Sequence, residues 1–264
     1  MDLDLVIGYN LTKELKEFFK INNVNRLYVI TDTIVSQLYM KYIDGVIKNW
    51  DYNTYIIPSG EESKNMDTVF SIYNDLLDSN IDRNTYILAF GGGVVGDIAG
   101  FVASTYKRGL KYVQIPTTLL SQIDSSIGGK VGVDYGGYKN IIGSFYFPEK
   151  VFIDTYFLTT LPKREITSGL GEVFKYGLIY DYELFQYTKD NLDKIYEMDL
   201  NVLNIIIKKS VSIKEKIVSQ DKKDFGLRRI LNFGHTIGHS IEAYYGFNRY
   251  NHGEAVILGI LYES

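Results

Sequence analysis

The chain has three histidines, and they lie close together at His235, His239 and His252. Neutral imidazole is the commonest nitrogen ligand for zinc-like metals and the side chain that titrates nearest neutral pH. The cluster therefore points to a metal site or a proton-transfer site. His235 and His239 stand four residues apart, so they share one face of a helix. Spacing alone reads both as ligands to one metal, with His252 or a distant carboxylate completing the set. The plainer reading is a pair of core or surface histidines. Glu172 and Lys175, at i and i+3 in the run GEVFKYG, also share a helix face and by themselves read as a surface salt bridge.

Two glycine-rich runs could handle anions. Residues 91–97, GGGVVGD, follow an apolar strand pattern and open a helical one, matching G-x-G-x-x-G at Gly91, Gly93 and Gly96. Glycines let a backbone approach a pyrophosphate, and the helix N-terminus that follows offers unpaired N–H groups. The run falls well after the first strand, which is late for a dinucleotide fingerprint, so a tight strand-to-helix turn is the alternative. Residues 126–140 interleave glycines with Lys130 and Lys139, and Asp124 and Asn140 flank the glycines. This stretch reads either as a loop folded around an anion or as a solvated hairpin.

These residues need a scaffold, and the hydrophobic pattern supplies one. β-Branched and aromatic runs at 27–31, 55–57, 85–90, 112–115 and 151–153 read as strands, the fourth stopped by Pro116. Amphipathic stretches such as 66–77 lie between them, which predicts a mostly parallel sheet with helices on both faces. From about Leu161 the strand-like runs disappear. Residues 194–218 give a 3.6-residue period with Ile205, Ile206, Ile207, Val211, Ile213 and Ile217 on a broad apolar face. The expected architecture is an α/β nucleotide-binding domain over 1–160 and an all-α domain over 161–264.

The bulk numbers narrow the function. Lys and Arg total 28 against 32 Asp and Glu, leaving no surplus cation for general nucleic-acid binding. There are no cysteines, which removes thiolate ligands, disulfides and cysteine nucleophiles. The chain opens without a basic leader, and no apolar run approaches the ~18 residues a membrane span needs. A cytoplasmic protein is the default expectation.

Taken together, the motifs resemble the 3-dehydroquinate synthase family of the sugar-phosphate cyclases. The matching runs are PSGEESK at 58–64, GGGVVGD at 91–97, YKRG at 106–109, QIPTTLLSQID at 114–124 and GGKVGVD at 128–134. They continue with Lys139-Asn140, GLGEVFK at 169–175, LRRILNFGH at 227–235 and HGE at 252–254. They span nearly the whole chain in order. The resemblance implies a catalytic cleft between the two domains and metal ligands at Glu172, His235 and His252. It places His239 beside the substrate rather than on the metal, against the spacing argument. It implies NAD+ contacts at Asp32, Glu61, Lys64, Gly92, Gly93, Val94, Asp97, Thr117, Thr118 and Lys139. Substrate contacts would be Arg108, Asp124, Lys130, Asn140, Lys175, Lys214, Arg228, Asn232 and His239.

The implied cofactors are NAD+ and zinc, with cobalt as the alternative metal. The implied substrate is a phosphorylated sugar acid, 3-deoxy-D-arabino-heptulosonate 7-phosphate, whose two anionic groups suit the lysines and arginines. The implied reaction is redox-neutral: transient oxidation of a hydroxyl, loss of phosphate, re-reduction and aldol ring closure. A homodimer is implied, with no nucleic acid or membrane partner. Sibling cyclases acting on neutral sugar phosphates are the first rival. A metal-dependent polyol dehydrogenase is the second, and a non-catalytic nucleotide binder the third. Family members run on beyond this chain's last residue with further helices and another active-site lysine. The chain is therefore expected to be a fragment whose uncovered apolar surface favours self-association.

Overall fold

The strand-like runs line up side by side in a computed structural model that describes residues 4–245 and 249–264. Its contacts divide the chain into two units. One takes the described residues up to Thr117 together with Gly129–Asp154; the other takes Thr118–Gly128 and Thr155–Ser264.

The first unit is built on strands β1 (Leu5–Gly8), β2 (Arg26–Asp32), β3 (Asp51–Ile57), β4 (Tyr86–Gly91), β5 (Tyr112–Pro116) and β8 (Lys150–Asp154), with a separate hairpin of β6 (Lys130–Tyr135) and β7 (Tyr138–Phe145). The six-stranded sheet runs in the order β1-β8-β5-β4-β2-β3, and every pairing is parallel. Four helices connect the strands: α1 (Thr12–Ile21), α2 (Thr33–Ile47), α3 (Met66–Asp78) and α4 (Gly93–Thr105). Alternate side chains point to opposite faces of a strand. Tyr28, Ile30, Ile57, Ile87 and Ala89 pack with Val69, Ile72 and Leu76 of α3 and Val95, Ile98 and Val102 of α4. On the other face, Phe18 of α1 meets Tyr86 and Phe152 edge to face. Helices on both faces of a parallel sheet are what the alternation predicts.

One feature of this unit differs from the sequence expectation. β1 was not predicted, because its four half-buried residues carry too short a pattern. Of the two readings of the glycine-rich stretch, the structure has the hairpin, antiparallel with a register irregularity between Val133 and Tyr135. Its turn is Gly136-Gly137, both at positive φ, between the paired residues Tyr135 and Tyr138. Positive φ at both central positions is what a two-residue hairpin turn demands. Val131 and Val133 of β6 are buried, and Gly100 of α4 makes room for Val131.

The second unit is helical, as predicted: α5 (Lys163–Ile179), α6 (Tyr182–Asp190), α7 (Leu192–Tyr196), α8 (Leu200–Gln220), α9 (His235–Tyr244) and α10 (His252–Glu263). The periodic segment 194–218 is two helices rather than one. Met198 at φ 64 breaks it, and Asp199 caps α8 by accepting hydrogen bonds from the N–H groups of Asn201 and Val202. The apolar face is also narrower than predicted. Ile206, Ile207, Val211, Ile213 and Ile217 are buried, but Ile205 is 42% exposed.

Helices α5, α9 and α10 approach through glycines. A Cβ on Gly253 would strike the Ser168 carbonyl, one on Gly171 the Gly253 carbonyl, and one on Gly259 the Gly234 carbonyl. Backbones this close leave a methyl group nowhere to go. Gly253→Ala is therefore expected to cost about 1–3 kcal/mol by overpacking. Gly45→Ala, where nothing lies within 4 Å of the added Cβ, is expected to stabilise helix α2 by up to about 1 kcal/mol. Urea midpoints of the two variants check both signs.

Candidate functional site

In the first unit the residues assigned to NAD+ collect at one edge of the sheet. Asp32 ends β2, Gly91 ends β4, and Thr117 follows the end of β5, its N–H donating to the Gly91 carbonyl at 3.0 Å. The carboxyl ends of parallel strands are where ligands bind in open α/β sheets. Gly91 has no room for a side chain, because a Cβ would run into Val95. Gly92 caps α4 in an extended conformation, and the first turn of α4, with Gly93 and Val94, carries no acidic side chain. That leaves its N–H groups and dipole for an anion.

Asp97, further along α4, receives the buried Lys64 ammonium at 2.6 Å. Burial disfavours the Lys64 charge, but Asp97 and Glu61 outweigh it and hold the lysine protonated. Lys139 reaches Glu61 at 3.7 Å. Asp32 has a structural task as well: its Oδ1 caps α2 by accepting from Ile34 and Val35 at 2.8 and 3.0 Å.

In the second unit Glu172 is the fixed point. It sits in mid-α5 with no solvent exposure, its Oε2 ion-paired with Lys175 one helical turn on. The pair that spacing read as a surface salt bridge is completely buried. Its Oε1 accepts no hydrogen bond within the described residues. It lies 3.6 Å from His235 Nε2 and 3.8 Å from His252 Nε2. Donors held tetrahedrally at 2.0–2.1 Å from one zinc ion stand about 3.3–3.4 Å apart, so the carboxylate oxygen is within a few tenths of an ångström of that separation from each nitrogen. A buried carboxylate oxygen lacking a donor, facing two imidazole nitrogens, fits a divalent metal. One ring nitrogen from each of His235, His239 and His252 also lies within 4.8 Å of the other two.

The histidines differ in environment. His235 is pulled down to about 4 by burial and then by Lys175, so it is neutral at physiological pH with a lone pair to donate. Burial also lowers His252, but Glu242 and Glu172 outweigh it and the net shift is upward. The side chain of His239 is 53% exposed, the most open of the three.

Beside this trio lies a second buried charge group. Asp124 sits in a single π-turn, Ser121–Ser125, a helical irregularity frequent at functional sites. Lys214 Nζ donates to Asp124 Oδ1 at 2.6 Å and to its carbonyl at 2.7 Å, and the Tyr176 hydroxyl donates to the same Oδ1. Burial opposes ionisation of Asp124, but Lys214 and Lys175 overwhelm it and hold the carboxyl far below the usual range. Arg228 is buried and donates to the carbonyls of Gly128 and Lys222 at 3.1 and 3.2 Å. Gly128, at φ 108, faces that guanidinium where a side chain would collide with it.

Other assigned residues are less gathered. Lys130 opens β6 and Asn140 lies in β7 at φ 54, both exposed. Asn232 is exposed at the end of the turn that carries Arg228. The Thr118 hydroxyl pairs with Ser121 and serves as a local cap. Arg108 is exposed beyond the C-terminus of α4. The 13 residues of that helix rise about 20 Å, so Arg108 is far from the Gly92-Gly93 turn at the other end.

Sequence reasoning missed two residues. Tyr176 gives no signal in a chain with 23 tyrosines. Glu242 does: it stands seven residues after His235, on the same face of α9.

A parallel α/β sheet followed by a helical unit is the architecture of the sugar-phosphate cyclases. A 2-epi-5-epi-valiolone synthase from Streptomyces hygroscopicus subsp. jinggangensis, with NAD+ and Zn2+ bound, superposes with a TM-score of 0.92 at 29% identity, covering 100% of this chain and 74% of that one. A 2-deoxy-scyllo-inosose synthase complexed with carbaglucose-6-phosphate, NAD+ and Co2+ gives 0.91 at 28% identity, covering 98% and 72%.

Within that class the chain belongs to the 3-dehydroquinate synthase family. Residues 54–168 match its N-terminal part and residues 169–264 its C-terminal part. The 3-dehydroquinate synthase of Caldanaerobacter subterraneus subsp. tengcongensis is 50% identical over 242 residues, which is 91% of this chain and 68% of that protein. The chain thus spans about two thirds of the length of such relatives.

Replacing Asp124 by Asn leaves Lys214 buried without its counter-charge, which is expected to cost about 3–5 kcal/mol. The pH dependence has a definite sign. Asp124 is depressed in the folded state, so its contribution is complete above the unfolded carboxylate value of about 3.9 and is lost as pH falls below it. Urea midpoints from pH 7 to 3 should show a constant gap between parent and Asp124→Asn down to about pH 4, then a narrowing one.

Proposed function

We propose that this chain carries the catalytic residues of a 3-dehydroquinate synthase, converting 3-deoxy-D-arabino-heptulosonate 7-phosphate to 3-dehydroquinate and inorganic phosphate. The observation that carries the reading is Glu172 Oε1 at 3.6 and 3.8 Å from the Nε2 atoms of His235 and His252. Those three residues would hold a divalent metal, zinc or cobalt. The C-terminal edge of the sheet, with Asp32, Glu61, Lys64, Gly92, Gly93, Val94, Asp97, Thr117, Thr118 and Lys139, would hold NAD+. When bound, the two supply polarisation of a substrate oxygen and reversible hydride transfer.

The remaining work falls to the chain's own side chains. The substrate brings a carboxylate and a phosphate, and Arg108, Lys130, Lys175, Lys214 and Arg228 provide the cations to bind and orient them. Lys214 and Arg228, with Asn232 four residues on, favour a substrate that has the carboxylate. Asp124, held ionised, accepts a hydrogen bond from a substrate hydroxyl, and Asn140 adds a neutral donor. Loss of phosphate requires removal of the C6 proton, made acidic while C5 is a ketone. Buried cations stabilise the negative charge that develops. His239, the exposed imidazole of the three, moves protons between the site and solvent.

In this reading the nucleotide belongs to the first 160 residues, the metal to residues 161–264, and the substrate to residues 161–264 together with Arg108, Asp124, Lys130 and Asn140. The assembly in the same reading is a homodimer and the compartment the cytoplasm, as the family resemblance implies. No helix among the described residues is long and apolar enough to cross a membrane.

The test is phosphate release by the intact gene product from the heptulosonate 7-phosphate, with catalytic NAD+ and zinc. One phosphate per substrate, no accumulation of NADH, and loss of activity with a chelator or in His235→Ala are the expected results. Release from a neutral sugar phosphate instead would move the assignment to a sibling cyclase. Net NADH would move it to a dehydrogenase.

A further inference from the structure

We propose that Glu242 is a positioning residue that orients His252 toward the metal, an inference that rests on the metal reading above. Glu242 stands on α9 seven residues after His235 and three after His239, so the three share one helical face. It is 3% exposed. A buried carboxylate is costly unless charge or hydrogen bonds compensate it. Its Oε2 lies 3.6 Å from His252 Nδ1 and 4.0 Å from His239 Nε2.

The geometry favours His252 as the partner. His252 presents its two ring nitrogens to two different buried carboxylates: Nε2 toward Glu172 Oε1 at 3.8 Å and Nδ1 toward Glu242 at 3.6 Å. An imidazole that donates its Nδ1–H to a carboxylate keeps its proton off Nε2, which leaves the Nε2 lone pair facing the metal position. His239 offers Glu242 only its Nε2, at the longer distance, from a half-exposed ring.

The scaffold makes the arrangement rigid. Gly234, Gly238 and Gly259 let α9 and α10 approach so closely that Cβ atoms there would meet the opposing helix. Asn251 and Glu254 close a capping box at the start of α10, fixing the residue between them that begins the helix, His252. Of the two rings near Glu242, that of His252 is therefore the nearer and the better fixed.

The experiment measures zinc affinity by competition with a chromophoric chelator, using the parent, Glu242→Gln and His235→Ala. Glu242→Gln keeps the shape and removes the charge. It is expected to weaken zinc binding about 10–100-fold while the metal-free protein melts where the metal-free parent does. Zinc affinity within about twofold of the parent overturns the proposal; a purely structural role would move the melting temperature and leave the affinity. Nitrogen-15 NMR of the zinc-loaded parent gives a second reading that needs no variant. It should show His252 protonated on Nδ1 and ligating through Nε2, and the opposite tautomer overturns the proposal. If the parent and His235→Ala bind zinc alike, the metal reading itself fails. If only His235→Ala loses zinc, the metal reading stands and Glu242 has no part in it.

Discussion

A carboxylate sealed from water is the constraint on which the second unit is built. Glu172 has no solvent exposure, and an unpaired buried charge would cost far more than a domain's stability permits. Its charge is met on one oxygen by Lys175, and the other oxygen faces two imidazole nitrogens across a space that fits a cation. Each of those partners arrives on its own element. Lys175 comes from the next turn of α5, His235 from the first residue of α9 and His252 from the first residue of α10. The three helices converge because their contact points are glycines, and the glycine backbones bring the charged side chains within reach.

The first unit solves a different problem. Parallel strands all finish at one edge, and whatever follows each strand must turn there. The chain places small or capping residues at those turns. Gly92 gives α4 an extended cap, and Asp32 uses one oxygen to close α2. Lys64, Asp97, Glu61 and Lys139 alternate charge across the same region, so the edge is both ordered and polar.

Much of this was legible in the sequence, and the reasons for the rest are physical. Five strands announced themselves because β-branched residues recur in short bounded runs, and all five are in the sheet. The Gly136-Gly137 turn was visible as a hairpin signal, and the lysines around it kept a loop around an anion open beside it. Ile205 was misjudged because a run of three isoleucines on a helix must send one toward solvent. The two histidines at i and i+4 suggested a ligand pair. The structure groups ring nitrogens of both with His252 and also sets His235 and His252 against Glu172, and no spacing rule could show the glutamate, because Glu172 lies 63 residues before His235 in the chain. The burial of Glu172 and Lys175 was hidden for the same reason: their i, i+3 spacing is as common on a surface as in a core.

The donor set proposed for the metal, Glu172, His235 and His252, contains oxygen and nitrogen but no sulfur. Thiolates discriminate between metals by softness; carboxylate and imidazole do so far less, and their affinities follow the general order among divalent ions. A site of this kind accepts whichever borderline ion is plentiful, in keeping with relatives that hold zinc in one case and cobalt in the other. If those three residues hold the ion, its identity would follow the metal supply, and the same polypeptide grown under different regimes of trace elements would be a different holoprotein.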